Sequence, residues 1–177
     1  VLGDRNPEPS VALDDDYVAA LLTSLIPAAE QHDVTLLVET NGVYSDTNRL
    51  KALLDKVGNC RVAALWDMHH PYRYGGETPQ QTVSNLGSYI KFVHTKDSAM
   101  RDGKLVYEMM GSGDMPLDAM MSALESINYN GFVSLEWVKR WMPSLSDAAI
   151  VFPAFADYMQ KSRRTHKHPL QVNNRGT

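Results

Sequence analysis

Helix-like and strand-like stretches alternate along most of this chain, and four apolar runs close on side chains that can bind a metal: TLLVE at Glu39, VAALWD at Asp67, IKFVH at His94 and FVSLE at Glu136. Such alternation implies βαβ units with right-handed crossovers and therefore a parallel sheet. Parallel strands deliver their C-terminal ends to one side. One metal-capable residue per strand end therefore brings three carboxylates and an imidazole around a common point.

Behind a capping cluster of Asp14, Asp15 and Asp16, the residues Val18, Leu21, Leu22, Leu25, Ile26 and Ala29 recur at helical spacing, with Pro27 expected to kink the last turn. Thr35 to Glu39 is a short continuous apolar run, as in a strand covered on both faces. Asp46 caps a helix bearing Leu50, Leu53, Leu54 and Val57 that closes at Gly58, and Arg61 to Asp67 is the second strand. Pro71 to Gly76 is expected to be a turn-rich loop, and Thr78-Pro79 opens a helix as N-cap and first residue. Tyr89 to His94 is the third strand. Asp97 to Gly113 has the composition of a long loop, with a hairpin signal at Asp102-Gly103. Met115 to Ile127 is helical, Tyr129-Asn130-Gly131 is a turn and Phe132 to Glu136 is the fourth strand. A last helix runs from about Ser146 to Lys161. Residues 1–13 are expected to be a loop or strand remnant, and 163–177 a flexible tail.

A closed (β/α)8 TIM barrel needs eight strands and about 250 residues. With four strands in 177 residues, the chain has the pattern of the C-terminal half of such a barrel, strands five to eight with their helices, as a single domain. Half a barrel leaves two open sheet edges and an uncovered inner face. The expectation is a homo-oligomer, or association with a missing N-terminal half.

A formal charge of −4 and a pI near 5.8 supply no basic field for a phosphate backbone or an anionic bilayer, which argues against nucleic acid and membrane partners. No apolar run approaches the roughly 18 residues of a membrane span. The single cysteine, Cys60, excludes an internal disulfide and fits a reducing, cytoplasmic setting.

The stretches LLVETNG, WDMHH, FVHTKD, GSGDMPLDAM and GFVSLEW, in this order and spacing, resemble the xylose isomerase-like TIM-barrel superfamily of sugar isomerases and epimerases, over roughly Leu21 to Trp137. The resemblance implies a metal site of Glu39, Asp67, His94 and Glu136, and a substrate contact at His70. It also implies an arginine six residues after His94. Met100 stands there, and Arg101, one position beyond, is the nearest candidate for a contact to a sugar hydroxyl.

Three carboxylates and one imidazole form a hard, oxygen-rich set that suits Mn²⁺ first, with Mg²⁺, Co²⁺ and Zn²⁺ as alternatives. Glu39 and Glu136 come from well-separated strands and can meet a bound sugar from opposite faces. One removes a proton beside a polarised carbonyl and the other returns a proton, through an enediolate. The expected function is thus a divalent-metal-dependent isomerase or epimerase of a ketose or aldose. The alternatives are a polyol dehydratase of the inosose type, or a non-catalytic barrel-derived binding domain. Phosphodiester cleavage would need further metal ligands and a positive groove, which the sequence lacks. His69 and His70 could be ordinary loop residues. Lys96 and Asp97 could orient the imidazole, reach substrate oxygens or form a surface ion pair. Trp137 and Trp141 could stack on a sugar face or pack in the core. Met109, Met110, Met115, Met120 and Met121 suit gap-filling better than a sulfur ligand site. Gly111-Ser112-Gly113 could cradle an anion, although a tight capped loop suits it better.

Overall fold

The Asp14 carboxylate accepts the backbone amides of Asp16 and Tyr17 and so starts α1 (Asp15–Gln31) in the computed structural model, which describes residues 12–165. Residues 1–11 and 166–177, with most of the expected N-terminal loop and polar tail, lie outside the described residues. Then follow β1 (Leu36–Glu39), α2 (Thr47–Val57), β2 (Val62–Asp67), α3 (His69–Arg73), α4 (Pro79–Leu86), β3 (Ile90–Thr95), β4 (Asp97–Arg101), β5 (Lys104–Glu108), α5 (Leu117–Ser126), β6 (Val133–Leu135) and α6 (Ala148–Thr165). Strands β1, β2, β3 and β6 lie in that order in one parallel sheet, while β4 and β5 form a separate antiparallel hairpin. Four parallel strands joined by helices are the expected part of a TIM barrel.

Register fixes which side chains share a face. Glu39 is opposite Leu65, Asp67 opposite His94, and His94 opposite Ser134. Because side chains alternate along a strand, Leu65 with Asp67, and Ser134 with Glu136, point the same way. Glu39, Asp67, His94 and Glu136 therefore fall on one face. The other face carries Val38, Ala64, Trp66 and Val93, which are buried against Leu50, Leu53, Leu54, Leu86, Met120 and Leu124 of the helices. Below the four polar residues the inner face continues as Leu37, Leu65 and Phe92, all half-buried.

Local signals set the element ends. Asp46 caps α2 and Gly58 closes it in the left-handed region. Thr78 and Gln81 form a capping box at α4, with Pro79 in the first turn. Asp102 and Gly103 both have positive φ, the combination a two-residue hairpin turn requires.

Three details differ from the sequence reading. The stretch expected to be a turn-rich loop from Pro71 contains the short helix α3; Pro71 sits in its first turn, where a missing N–H breaks no helical bond. Helix α1 carries Pro27 inside it, as expected, and runs to Gln31. Leu21 and Leu25, expected on its apolar face, are 47% and 46% exposed, because α1 buries the stripe of Leu22 and Ala29 instead. Helix α6 reaches Thr165, so Arg163 and Arg164 are helical.

Candidate functional site

The sheet's hydrogen-bond ladder runs up to the four polar strand ends. Thr40 N–H donates to Leu65 O at 3.0 Å, Met68 N–H to His94 O at 3.0 Å, and Glu136 N–H to Thr95 O at 2.9 Å. The Thr40 hydroxyl clamps β1 to β2, accepting the Asp67 amide at 2.9 Å and donating to Asp67 O at 3.1 Å. On this scaffold Glu39, Asp67, His94 and Glu136 each offer one ligand-capable atom, and these atoms all lie within 4.8 Å of one another.

Asp67 is fully buried. Its Oδ1 accepts the His69 amide at 2.8 Å, and its Oδ2 accepts from the Lys96 ammonium and lies 3.5 Å from His70 Nε2. Burial alone would push this carboxyl up, but the charge and hydrogen bond of Lys96 hold it well below the usual range. Lys96 is 1% exposed and bridges Asp67 Oδ2 to Glu136 Oε2. Burial opposes its charge, yet the two carboxylates outweigh that and raise the lysine further above its ordinary value. Glu136 is pushed up, chiefly by burial and against the pull of Lys96. His94 Nδ1 lies 3.5 Å from Glu39 Oε1 and has no hydrogen bond within geometric limits among the described residues. Burial disfavours its cation, but Glu39, Glu136 and Asp67 together raise it above 6.5.

This cluster fits a divalent cation. Three carboxylates against one ammonium leave an excess of two negative charges when His94 is neutral, and the buried His94 Nδ1 lacks a partner among the described residues. Both features match a cation bound by oxygen and imidazole donors.

The flanking residues divide clearly. His69 is buried: its Nε2 lies 2.9 Å from Ser98 Oγ, and burial, then the Lys96 charge, hold it down at about 3, so the ring is neutral. His70 is neutral too, lowered chiefly by burial. Lys96 is not the surface ion pair that one reading allowed. Asp97 ties down the glycine loop, its Oδ2 accepting the Gly111 and Gly113 amides at 2.9 Å each. Those amides serve the chain's own carboxylate, so Gly111-Ser112-Gly113 is a tight loop and not an anion cradle. Arg101 stands at the exposed end of β4, paired with Glu108 at 3.3 Å. Trp137 Nε1 donates to Ser146 O at 2.9 Å, and Trp141 is exposed beneath the Arg140 guanidinium. Met115 and Met120 are buried in the core, with Met110 and Met121 packed against it.

Tyr107 and Tyr74 escaped the sequence reading. Tyr107 stacks on His69 with ring centroids 5.6 Å apart, and Tyr74 lies 5.8 Å from His70. Their signal was the hairpin turn: once Asp102-Gly103 fixes the register, Tyr107 falls opposite Ser98, which touches His69.

A family model described as the xylose isomerase-like TIM barrel matches residues 2–158. Hydroxypyruvate isomerase of Escherichia coli (strain K12) is 26% identical over 129 residues, covering 67% of this chain and 47% of the relative. This chain therefore spans about half the length of that curated relative. D-allulose 3-epimerase from Methylomonas sp. superposes with a TM-score of 0.72 at 15% identity, over 88% of this chain and 58% of that one. The IolI protein, solved with a zinc atom, superposes at 0.70 with 18% identity, over 91% and 62%. At these identities the two superpositions establish shared fold, and the family model, matched along most of the sequence, supplies the kinship: the chain belongs to the xylose isomerase-like TIM barrel family.

Proposed function

We propose that this chain carries the metal centre and the acid–base pair of a divalent-metal-dependent sugar isomerase or epimerase. The observation that carries the reading is the approach of four ligand-capable atoms, from Glu39, Asp67, His94 and Glu136, to within 4.8 Å of one another at the C-terminal ends of parallel strands. Those four residues are the ligands of the proposal, with Mn²⁺ as the ion and zinc the competitor suggested by the IolI structure. A cation held by these residues would supply a Lewis acid able to polarise a sugar carbonyl.

The chain's own residues do the rest. Glu39 ends β1 and Glu136 follows β6, the two edge strands, so the carboxylates flank the substrate position from opposite sides. Glu136, raised above the ordinary carboxylate value chiefly by burial, is suited to accept a proton. Lys96, donating to Glu136, fixes the direction in which that carboxylate faces. His70, buried and neutral beside Asp67, can exchange a hydrogen bond with a sugar hydroxyl. Trp137 offers an apolar wall, and Arg101, paired with Glu108 on the hairpin, is the candidate for a contact to a sugar hydroxyl. Substrates of the hydroxypyruvate and ketohexose type follow from the relatives' names. A cytoplasmic setting fits the lone, exposed Cys60. A completing half-barrel would cover the open edges.

The test begins with calorimetry: one Mn²⁺ per chain is expected, and Glu136→Gln should weaken it roughly tenfold or more. With hydroxypyruvate or D-allulose in D₂O, NMR should then detect deuterium at carbon in the wild type and none in Glu136→Gln, with product mass separating isomerisation from loss of water. No stoichiometric Mn²⁺ binding, or unchanged deuterium uptake in the variant, would overturn the assignment.

A further inference from the structure

We propose that Lys96 is a positioning residue that restricts Asp67 and Glu136 to one metal-binding oxygen each, keeping adjacent positions on the cation open for a chelating substrate. The proposal rests on the reading that the tetrad binds a divalent ion and adds how the chain controls the number of donors.

Lys96 Nζ is held by Asp67 Oδ2 and Glu136 Oε2 together. A cation on the oxygen that the ammonium holds would sit against a second positive charge, so each of these bonds keeps that oxygen from chelating, a bar that the uncharged amide on Asp67 Oδ1 does not set. Asp67 Oδ1 accepts the His69 amide at 2.8 Å and retains a lone pair for an ion. The lysine has little room to move. It is 1% exposed, the preceding Thr95 carbonyl accepts the Glu136 amide at 2.9 Å, and the following Asp97 is pinned by the Gly111 and Gly113 amides. Asp67, itself fully buried, cannot turn away from the ammonium without leaving an unpaired charge in the core.

The consequence is a count. With single oxygens from Asp67 and Glu136, one from Glu39 and one nitrogen from His94, a six-coordinate ion retains about two positions for water or for the two neighbouring oxygens of a hydroxy-carbonyl compound. Without Lys96 the freed oxygens chelate, the ion binds more tightly and those positions close.

Mn²⁺-enhanced water proton relaxation on the 177-residue chain reads the count directly. Wild type should hold about two exchangeable waters, and glycolate, a two-oxygen chelator, should displace them. Lys96→Met should bind Mn²⁺ roughly tenfold more tightly, hold at least one water fewer and lose most of its glycolate affinity; Lys96→Arg should restore the water count. Difference infrared spectroscopy gives a second measure that needs no variant: wide separation of the carboxylate stretching bands in the wild-type Mn²⁺ complex is expected. An unchanged water count in folded Lys96→Met, or a narrow separation in wild type, overturns the proposal and leaves the metal site standing. Absence of Mn²⁺ binding to wild type instead overturns the metal reading and this proposal with it.

Discussion

In the proposed metal site, His94 is the residue at which a proton and a cation would compete. Three carboxylates surround its imidazole and raise its affinity for a proton above the ordinary value of 6.5, despite the opposing effect of burial. For a group raised on folding, the stability contributed by the protonated form is complete below the unfolded value. It is lost as pH rises through the higher folded value. The metal-free chain should therefore be more stable around pH 6 than around pH 8 by this contribution. A divalent ion requires the neutral ring. Mn²⁺ binding near pH 6.5 should thus be accompanied by proton release, and affinity should fall by up to about tenfold per pH unit below that point. Calorimetry in two buffers of different ionisation heat measures the released proton. Affinity independent of pH from about 6 to 8, with no proton released, would remove His94 from the ligand set.

Elements whose signals are local were the ones legible in advance. Asp46 and Gly58 bound α2, Thr78 and Gln81 start α4, and Asp102-Gly103 turns the hairpin, each through contacts within a few residues. The four strand ends were legible because a parallel sheet converts position along the chain into position in space. What the sequence hid is set at long range. The role of Lys96 depends on Asp67 and Glu136, 29 and 40 positions away. The two apolar stripes of α1 look alike until its neighbours decide which is buried. The glycine loop belongs to the same class, since Asp97 reaches across 14 and 16 positions to Gly111 and Gly113. A methyl group added at Gly113 would overlap the Asp97 carboxylate and the Ser98 carbonyl. Gly113→Ala should therefore cost about 2 kcal/mol of stability, read as a lowered denaturation midpoint, with hydrogen exchange quickened first at β4. A midpoint within error of wild type would show that the loop yields without strain.

At the scale of the whole molecule, the open faces decide behaviour. Among the described residues β6 pairs with β3 alone, so that sheet edge is open, and Leu65 and Phe92 line an inner face that lacks its opposite wall. Apolar side chains also stand exposed beyond both edges: Tyr17, Leu21 and Leu25 on α1, Ile150 and Phe152 on α6. Unpaired edges and apolar patches of this kind favour association. A helix count restricts the form it takes. By the right-handed crossover, α2, α4 and α5 cover the three gaps between the four strands, while α1 leads in at one edge and α6 leaves at the other. Two copies closed into one barrel would bring α1 of one and α6 of its partner into the same gap, twice over. A segment of four strands and three helices closes the barrel without that conflict. The 177-residue chain alone should therefore associate with increasing concentration into a spread of sizes and bind an apolar-surface dye, without settling into a compact dimer. Sedimentation velocity over a hundredfold concentration range checks this. A single monomeric boundary would mean that the open faces are tolerated in water, and a discrete, dye-silent dimer would mean that one of the two edge helices gives way to let the copies close.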